Sequence, residues 1–341
     1  MPVYVRGKIC VHRQVSEADG RDLTSPLSQE VPRDQTLPRR CAHAATSPEA
    51  CAPAVRCHVD GNSAFECDPT RIEAPLSLNA AVPNIVHWVS SGADGEFFPY
   101  WALLTASAVM DVLTPETFYF HHTAGCLPSG PHWALVVQWL TLSPTPAIEE
   151  VYGNPTRLKA HRSDVMRLQA LLKHGGIYVD WDVLPLRSFA SLMRNSFVIG
   201  LQSERRCANA VIVAEPHAEF VVRWLDAYHS FNERDWDGHS VRLPWQLAER
   251  FPGTAVLLPR TAWFTPGPDD DPGYQLFQRN TSAQTSPEQR PFALHLWHQI
   301  SGVFLEQITG PEWLKENKHT RFARELGHMA QRGGRVAAAV G

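Results

Sequence analysis

Two aspartates, Asp180 and Asp182, flank one tryptophan directly after the short apolar run Ile177-Tyr178-Val179. Carboxylates two positions apart point the same way from an extended chain, so the pair is able to grip one hard cation from one side. Such spacing is common in solvated turns. Here it follows a Gly175-Gly176 break and a buried-type strand, at the carboxyl end where open α/β sheets hold their ligands. Upstream, Asp164 and Arg167 are i, i+3 neighbours on one helix face. Alone they would be a surface ion pair. Beside a metal-binding Asp-x-Asp they are equally able to hydrogen-bond sugar hydroxyls, the arginine as a donor fork and the aspartate as acceptor. In that case breaking the pair is a rate effect, with stability almost unchanged. His161 shares the face one turn earlier and reads as a solvated or capping side chain.

Further candidates lie at a distance. In the stretch His295-Leu296-Trp297-His298, an extended chain would point His295 and Trp297 to one side and His298 to the other. The two histidines would then not chelate one ion together. Asn209 opens an apolar run after Arg205-Arg206-Cys207, where a turn residue is the plain alternative. Trp88 sits in the first apolar run, as a core aromatic or a stacking one. A metallohydrolase is disfavoured: no His-Glu-x-x-His helix occurs, and the adjacent His121 and His122 cannot both point the same way on a strand.

These groups need a framework to hold them. Residues 85–89, 117–121, 148–152, 177–179, 210–214, 254–258 and 293–297 read as strands. Residues 98–112, 132–142, 158–173 and 216–231 read as helices. In the third of these, Leu158, Val165, Leu168 and Leu172 fall at helical spacing, and Gly175-Gly176 supplies the stop. Residues 265–290, rich in Pro, Asp, Gly and Ser, read as a loop. Strands alternating with helices over short connections predict an α/β domain with a largely parallel sheet.

The 341 residues, 44% apolar and 19% charged, allow one or two domains. Thirty-one Lys plus Arg against 35 Asp plus Glu leave a net charge of −4, which argues against a nucleic-acid binder relying on a basic surface. Residues 117–148 lack charge, but Pro128, Pro131, Pro144 and three histidines interrupt them, so no membrane span is predicted. The first 22 residues show no signal-peptide apolar region. Residues 1–80 contain only Tyr4 and Phe65 as aromatics, with prolines throughout. They read as a disordered or weakly ordered leader, dispensable for folding. The spacing of Cys10, Cys41, Cys51, Cys57 and Cys67 leaves their disulfide state open. A catalytic domain over 81–331 and a flexible tail over 332–341 complete the expected organisation.

Three segments, Ile-Val-His-Trp at 85–88, His-x-Ser-Asp-x-x-Arg at 161–167 and Gly-Gly-Ile-Tyr-x-Asp-x-Asp at 175–182, together resemble the glycosyltransferases of family 32. That family includes the Golgi initiating mannosyltransferases and the α-1,4-glycosyltransferases, and the resemblance runs from about residue 82 to 301. More distantly the chain is similar to the clostridial glucosylating toxins. The resemblance implies a GT-A fold, the α/β fold of nucleotide-diphospho-sugar transferases. It implies a divalent metal, usually Mn2+ with Mg2+ as the alternative, bridging the Asp-x-Asp to the donor diphosphate. The implied reaction is retaining transfer of a hexosyl group from UDP-hexose or GDP-mannose to a hydroxyl of a glycan or glycolipid.

Carried over by position, the resemblance puts Asp180 near ribose and metal and Asp182 on the metal. Tyr178, Asp164 and Arg167 shape the donor-sugar and ribose pocket, and Asn209 lies near the donor sugar. Trp88 stacks on the base, and His295 completes the metal or phosphate site. The metal and Arg167 stabilise the charge building on the departing diphosphate. No protein nucleophile is identified; a same-face mechanism, with the leaving phosphate helping to deprotonate the acceptor, is implied. Two departures stand out. His87 and Trp88 are adjacent, where the family spaces the first-strand motif more widely, and no N-terminal anchor of the Golgi type is visible. A Golgi location therefore follows from the resemblance alone. A catalytically degenerate nucleotide-sugar or glycan-binding module is the rival reading, against which stand the intact Asp164, Arg167, Asp180 and Asp182.

Overall fold

A strand that is apolar on both faces must lie inside a sheet covered on both sides. In the computed structural model, which describes residues 82–92, 95–280 and 290–341, β1 (Ile85–Ser90) does so, with Val86 through Val89 buried. The helix α1 (Tyr100–Ala108), with apolar residues on every side and only Thr105 and Ser107 polar apart from the Tyr100 hydroxyl, is buried at every residue, as such a helix must be. The chain returns as β2 (Thr117–Thr123) and, past α2 (Pro131–Val136), as β3 (Thr141–Thr145). A small hairpin of β4 (Glu150–Val151) and β5 (Asn154–Pro155) leads into α3 (Lys159–His174). Next come β6 (Gly176–Val179), β7 (Val183–Pro185), β8 (Phe197–Ser203) and β9 (Arg206–Ala214). Beyond them lie α4 (Glu219–Asp226), α5 (Leu243–Arg250) and β10 (Val256–Leu258). The C-terminal part holds α6 (Pro272–Phe277), β11 (Ala293–His295), α7 (His298–Leu305), α8 (Pro311–Glu316), α9 (Arg321–Ala330) and α10 (Gly334–Val340).

The main sheet has seven strands in the order β10-β8-β9-β6-β1-β2-β3. Its pairings are parallel except the two made by β9, which runs against both β6 and β8. The expected α/β architecture with a mainly parallel central sheet is therefore what the chain forms. Side chains alternate across it: Val86 and Trp88 join the core that includes α1, and Val89 joins the core that includes α3. Among the described residues no helix is long and apolar enough to cross a membrane. The leader expected over 1–80, with its five cysteines, lies outside the described residues. Cys126 and Cys207 are buried.

Several elements differ from the sequence reading. Residues 148–152 contribute only β4, and the third strand of the sheet is β3, an edge strand too exposed to show apolar alternation. The buried face of α3 is carried by Val165, Leu168 and Leu171, while Leu158 caps the helix and is largely exposed. The apolar strand β8 has no counterpart in the reading, and β9 begins earlier than expected, at polar Arg206. The expected loop at 265–290 contains α6, started by Pro272 with the Asp271 carboxylate accepting from the Tyr274 amide at 3.2 Å. The flexible tail is also corrected. Residues 334–340 form α10, with Val336 fully buried, its amide donating to Asp111 at 2.8 Å and Tyr100 donating to the Ala339 carbonyl at 2.6 Å.

Candidate active site

Between α3 and β6 the chain has no room for a side chain. Gly175 and Gly176 have φ of +63° and +105°, and a Cβ on Gly176 would stand 2.4 Å from the Ile85 carbonyl oxygen. This tight joint sends β6 directly alongside β1 and delivers Asp180 at its carboxyl end. Asp180-Trp181-Asp182 is a turn, not the extended segment expected: the Val183 amide donates to the Asp180 carbonyl at 3.1 Å. Trp181 anchors it. Its ring lies against Trp88, Phe98 and Phe120, and its carbonyl accepts from the Thr105 hydroxyl at 2.6 Å.

After the turn, β7 pairs antiparallel with β11, with Val183 opposite His295. That register sets His295 Nε2 3.3 Å from Asp182 Oδ2. One ligand atom each from Asp180, Asp182 and His295 lies within 4.8 Å of the others. Two carboxylates with one imidazole suit a divalent cation such as Mn2+ or Mg2+. The expected strand at 293–297 stops at His295, because Trp297 turns into the left-handed region at φ +56° and α7 begins at His298. His298 then serves Asp182 by its amide, at 2.7 Å, while its ring lies against Trp101. The His295 ring is oriented by packing against Trp297 and Phe264, with centroids at 4.1 and 5.8 Å. Its Nδ1 is buried without a hydrogen-bond partner among the described residues.

Burial alone would raise the Asp182 carboxyl, but the charge and hydrogen bond of His295, with the His298 amide, bring it down to about 2. Burial and the neighbouring Asp182 carboxylate push Asp180 up from its ordinary value, against the pull of Arg167.

Behind Asp180 stands a polar network. Because β9 runs against β6, its first residues lie beside the carboxyl end of β6, and the Asp180 amide donates to the Ala210 carbonyl at 2.8 Å. This brings Asn209 to α3, where its side-chain amide donates to Asp164 at 2.7 Å. Arg167 Nη1 reaches Asp180 Oδ1 at 3.1 Å and donates to the Asn209 carbonyl at 2.8 Å. Its Nη2 lies 3.2 Å from Asp164, and its Nε donates to the Ser163 carbonyl at 3.2 Å. The Arg167 guanidinium also covers the Tyr178 ring at 4.5 Å, and the Tyr178 hydroxyl donates to Asp180 Oδ1. Burial pushes the Tyr178 hydroxyl well above its ordinary value, so it remains a donor.

The structure thus brings together Asp164, Arg167, Tyr178, Asp180, Asp182, Asn209 and His295, which the sequence scatters. Asp180 is the more open of the two carboxylates of this turn, its side chain 27% exposed. Arg167 and Asp164 are about nine-tenths buried and face Asp180 and one another, so Arg167 is not laid open to a diphosphate as expected. Trp88 does not join the site. It is fully buried among Phe98, Phe118 and Trp181, which rules out stacking on a base: a ring in contact with core side chains on β1's α1 side has no open face. His161 is likewise buried, against Phe231 and Trp236, rather than solvated. The His298 amide and the Thr105 hydroxyl were beyond the sequence reading. No spacing rule points to a backbone donor or to a threonine inside a buried, mostly apolar helix.

The family model described as "Glycosyltransferase sugar-binding region containing DXD motif" matches residues 99–198. The chain is 32% identical over 271 residues to "Glucan organizing enzyme 1" of Cryptococcus neoformans var. grubii serotype A, covering 74% of this chain and 73% of that protein. Among solved structures, the apo-form glycosyltransferase GlyE of Streptococcus pneumoniae TIGR4 superposes with a TM-score of 0.41 at 12% identity, over 73% of this chain and 64% of that one. The galactosyltransferase LgtC, solved with donor and acceptor sugar analogs, does so with a TM-score of 0.36 at 14% identity, over 62% and 86%.

Proposed function

The chain belongs to the glycosyltransferases whose sugar-binding region contains a DXD motif, and from that membership we propose a metal-dependent, retaining hexosyltransferase. It moves a hexosyl group from UDP-hexose or GDP-mannose to a hydroxyl of a glycan or glycolipid. The observation that carries this reading is the convergence of Asp180, Asp182 and His295, from two distant segments, within 4.8 Å. A bound Mn2+ supplies a charge that offsets the negative charge growing on the departing diphosphate.

The chain's own residues prepare that site. Tyr178 and Arg167 both hold Oδ1 of Asp180, which leaves Oδ2 as the oxygen that faces a ligand. Asp182 stays ionised over the whole physiological range, and the His298 amide fixes its Oδ2. Arg167, already engaged at all three nitrogens, acts by positioning Asp180 and Asp164 rather than by touching the diphosphate. No nucleophile is assigned; retention follows if the leaving phosphate takes the acceptor proton on the face the donor leaves. The Golgi lumen is the proposed compartment, on the family resemblance alone.

The test is hydrolysis of UDP-glucose, UDP-galactose, UDP-N-acetylglucosamine and GDP-mannose by the full chain with manganese. One donor should be turned over, activity should stop with EDTA and return with Mn2+, and Asp182→Asn should lower it at least about 100-fold. Metal-dependent donor binding without turnover would establish the degenerate binding module instead. No binding of any donor would refute the reading.

A further inference from the structure

Away from the Asp180–Asp182–His295 cluster, a cavity of about 390 Å³ is lined by Thr265, Pro266, Asp270, Gln275, Arg279 and Arg321. Its charges are unevenly answered. The Asp270 carboxylate is taken by Arg260 and by the Gly267 amide at 2.8 Å. Arg279 donates to the Gln275 side-chain oxygen at 2.7 Å and makes no ion pair among the described residues. Arg321, half-buried at the start of α9, donates to the Thr265 carbonyl at 2.9 Å and likewise makes no ion pair there. The acid one turn along, Glu325, is paired with Arg290. Burial lowers the Arg321 guanidinium from its ordinary value, with Glu325 offsetting this in part. A guanidinium withdrawn from water without a carboxylate partner is costly unless a ligand supplies the counter-charge.

The cavity is also coupled to the candidate active site. Its wall at Pro266 accepts the Trp297 indole N–H at 2.8 Å, and the Trp297 ring packs on His295. Next to that wall in the chain, Phe264 also contacts His295. The cavity wall is therefore joined to the third member of the cluster through Trp297, which bonds Pro266 and packs on His295.

We infer that this cavity binds an anionic sugar unit of a glycan, with Arg279 and Arg321 holding its carboxylate or phosphate. Two planar donor forks suit either group. Gln275 and Thr265, the latter's hydroxyl reaching the Arg260 carbonyl at 3.5 Å, line the same wall and are placed to meet sugar hydroxyls, and the volume suits one or two sugar rings rather than a bare ion. That the anion belongs to a glycan rests on the transferase reading; the preference for an anion rests on the cavity alone.

Calorimetry on the full chain, without donor or metal, decides it. The probes are trigalacturonate, mannose 6-phosphate, uncharged maltotriose and inorganic phosphate. One of the two acidic sugars should bind, and which one identifies the group. Maltotriose should not bind. Arg279→Ala, at an exposed position that leaves the fold intact, and Arg321→Gln should each weaken binding at least about tenfold, as expected for loss of one charge-assisted contact. Failure of both acidic sugars, equal binding of maltotriose, or unchanged affinity in both variants would overturn the inference. Inorganic phosphate binding as tightly as either sugar would reduce the cavity to an ion site and overturn the glycan assignment. Donor hydrolysis is scored separately. A chain that hydrolyses a donor but ignores both acidic sugars loses this inference alone, and one that binds them but ignores every donor loses the transferase reading.

Discussion

Arg167 Nη1 stands 3.1 Å from Asp180 while its Nη2 stands 3.2 Å from Asp164, so one guanidinium ties helix α3 to the Asp180–Asp182 turn. An isolated i, i+3 pair would serve the helix only. Lysine carries a point charge that cannot span both carboxylates. Arg167→Lys should lower turnover by roughly 100-fold, in line with loss of a preorganised electrostatic contact. Because the group is buried, it should also lower stability, up to the roughly 3–5 kcal/mol of a broken buried pair. That departs from the sequence expectation of a rate effect alone. Turnover and the urea midpoint, measured together, check it; full activity in the variant would remove Arg167 from the site.

Trp88 offers the opposite test. As a fully buried core ring it should matter to stability and not to the donor. Trp88→Phe should cost less than the roughly 3–5 kcal/mol of a full aromatic truncation and leave manganese-dependent nucleotide affinity unchanged. Calorimetry below the melting point reads the second part. A large loss of nucleotide affinity at intact stability would restore the stacking role.

The α3 side of the sheet carries a histidine pair that predicts acid sensitivity. His87 Nε2 donates to the Gly175 carbonyl at 2.7 Å, which leaves Nδ1 to accept from His121 Nε2 at 2.9 Å. Burial first, and then neighbouring histidines, lower His87 to about 3; burial, His174 and Lys173 lower His121 to about 4. Both folded values lie below the unfolded 6.5, so the unfolded chain takes up protons first as pH falls. Above about pH 7 the pair changes nothing; below it, stability should fall by roughly 1–2 kcal/mol per histidine by pH 5. Urea midpoints at pH 7.5, 6 and 5 show the slope, and a His87→Gln, His121→Gln double variant should flatten it. An equal slope in the variant would assign the loss to other groups.

Deleting residues 334–341 should destabilise the chain, since α10 buries Val336 and satisfies Asp111 and Tyr100. Exposing one buried valine side and two polar groups is worth a few kcal/mol, or roughly 4–8 °C in Tm for a domain of this size. A thermal melt of the shortened chain checks it, and an unchanged Tm would return these residues to the status of a tail.

The legible parts of this protein were those whose cause is local. Helix α3, the Gly175-Gly176 joint, β6 and the Asp180–Asp182 pair lie within one stretch, where apolar period, glycine conformation and side-chain type are all written in consecutive residues. The strand–helix alternation carried the mainly parallel sheet for the same reason. The edge strand β3 escaped because its exposed residues leave weak periodicity, whereas α9 carries Phe322, Leu326 and Met329 at helical spacing and was legible, although it has no counterpart in the reading.

What the tertiary structure alone decided is which surfaces meet. His295 reaches Asp182 because β11 pairs with β7 in one register, and a shift by one residue would turn His295 to the opposite face. Asn209 reaches Asp164 because β9 runs against β6. Trp88 faces the core because alternation along β1 assigns it to the α1 side, although the same tryptophan one position along would face α3. By itself the sequence determined the chemistry available: two carboxylates after a buried strand, and an arginine and an aspartate on one helix face. Strand direction, register and burial, which depend on residues far apart in the chain, decided which of them form one site.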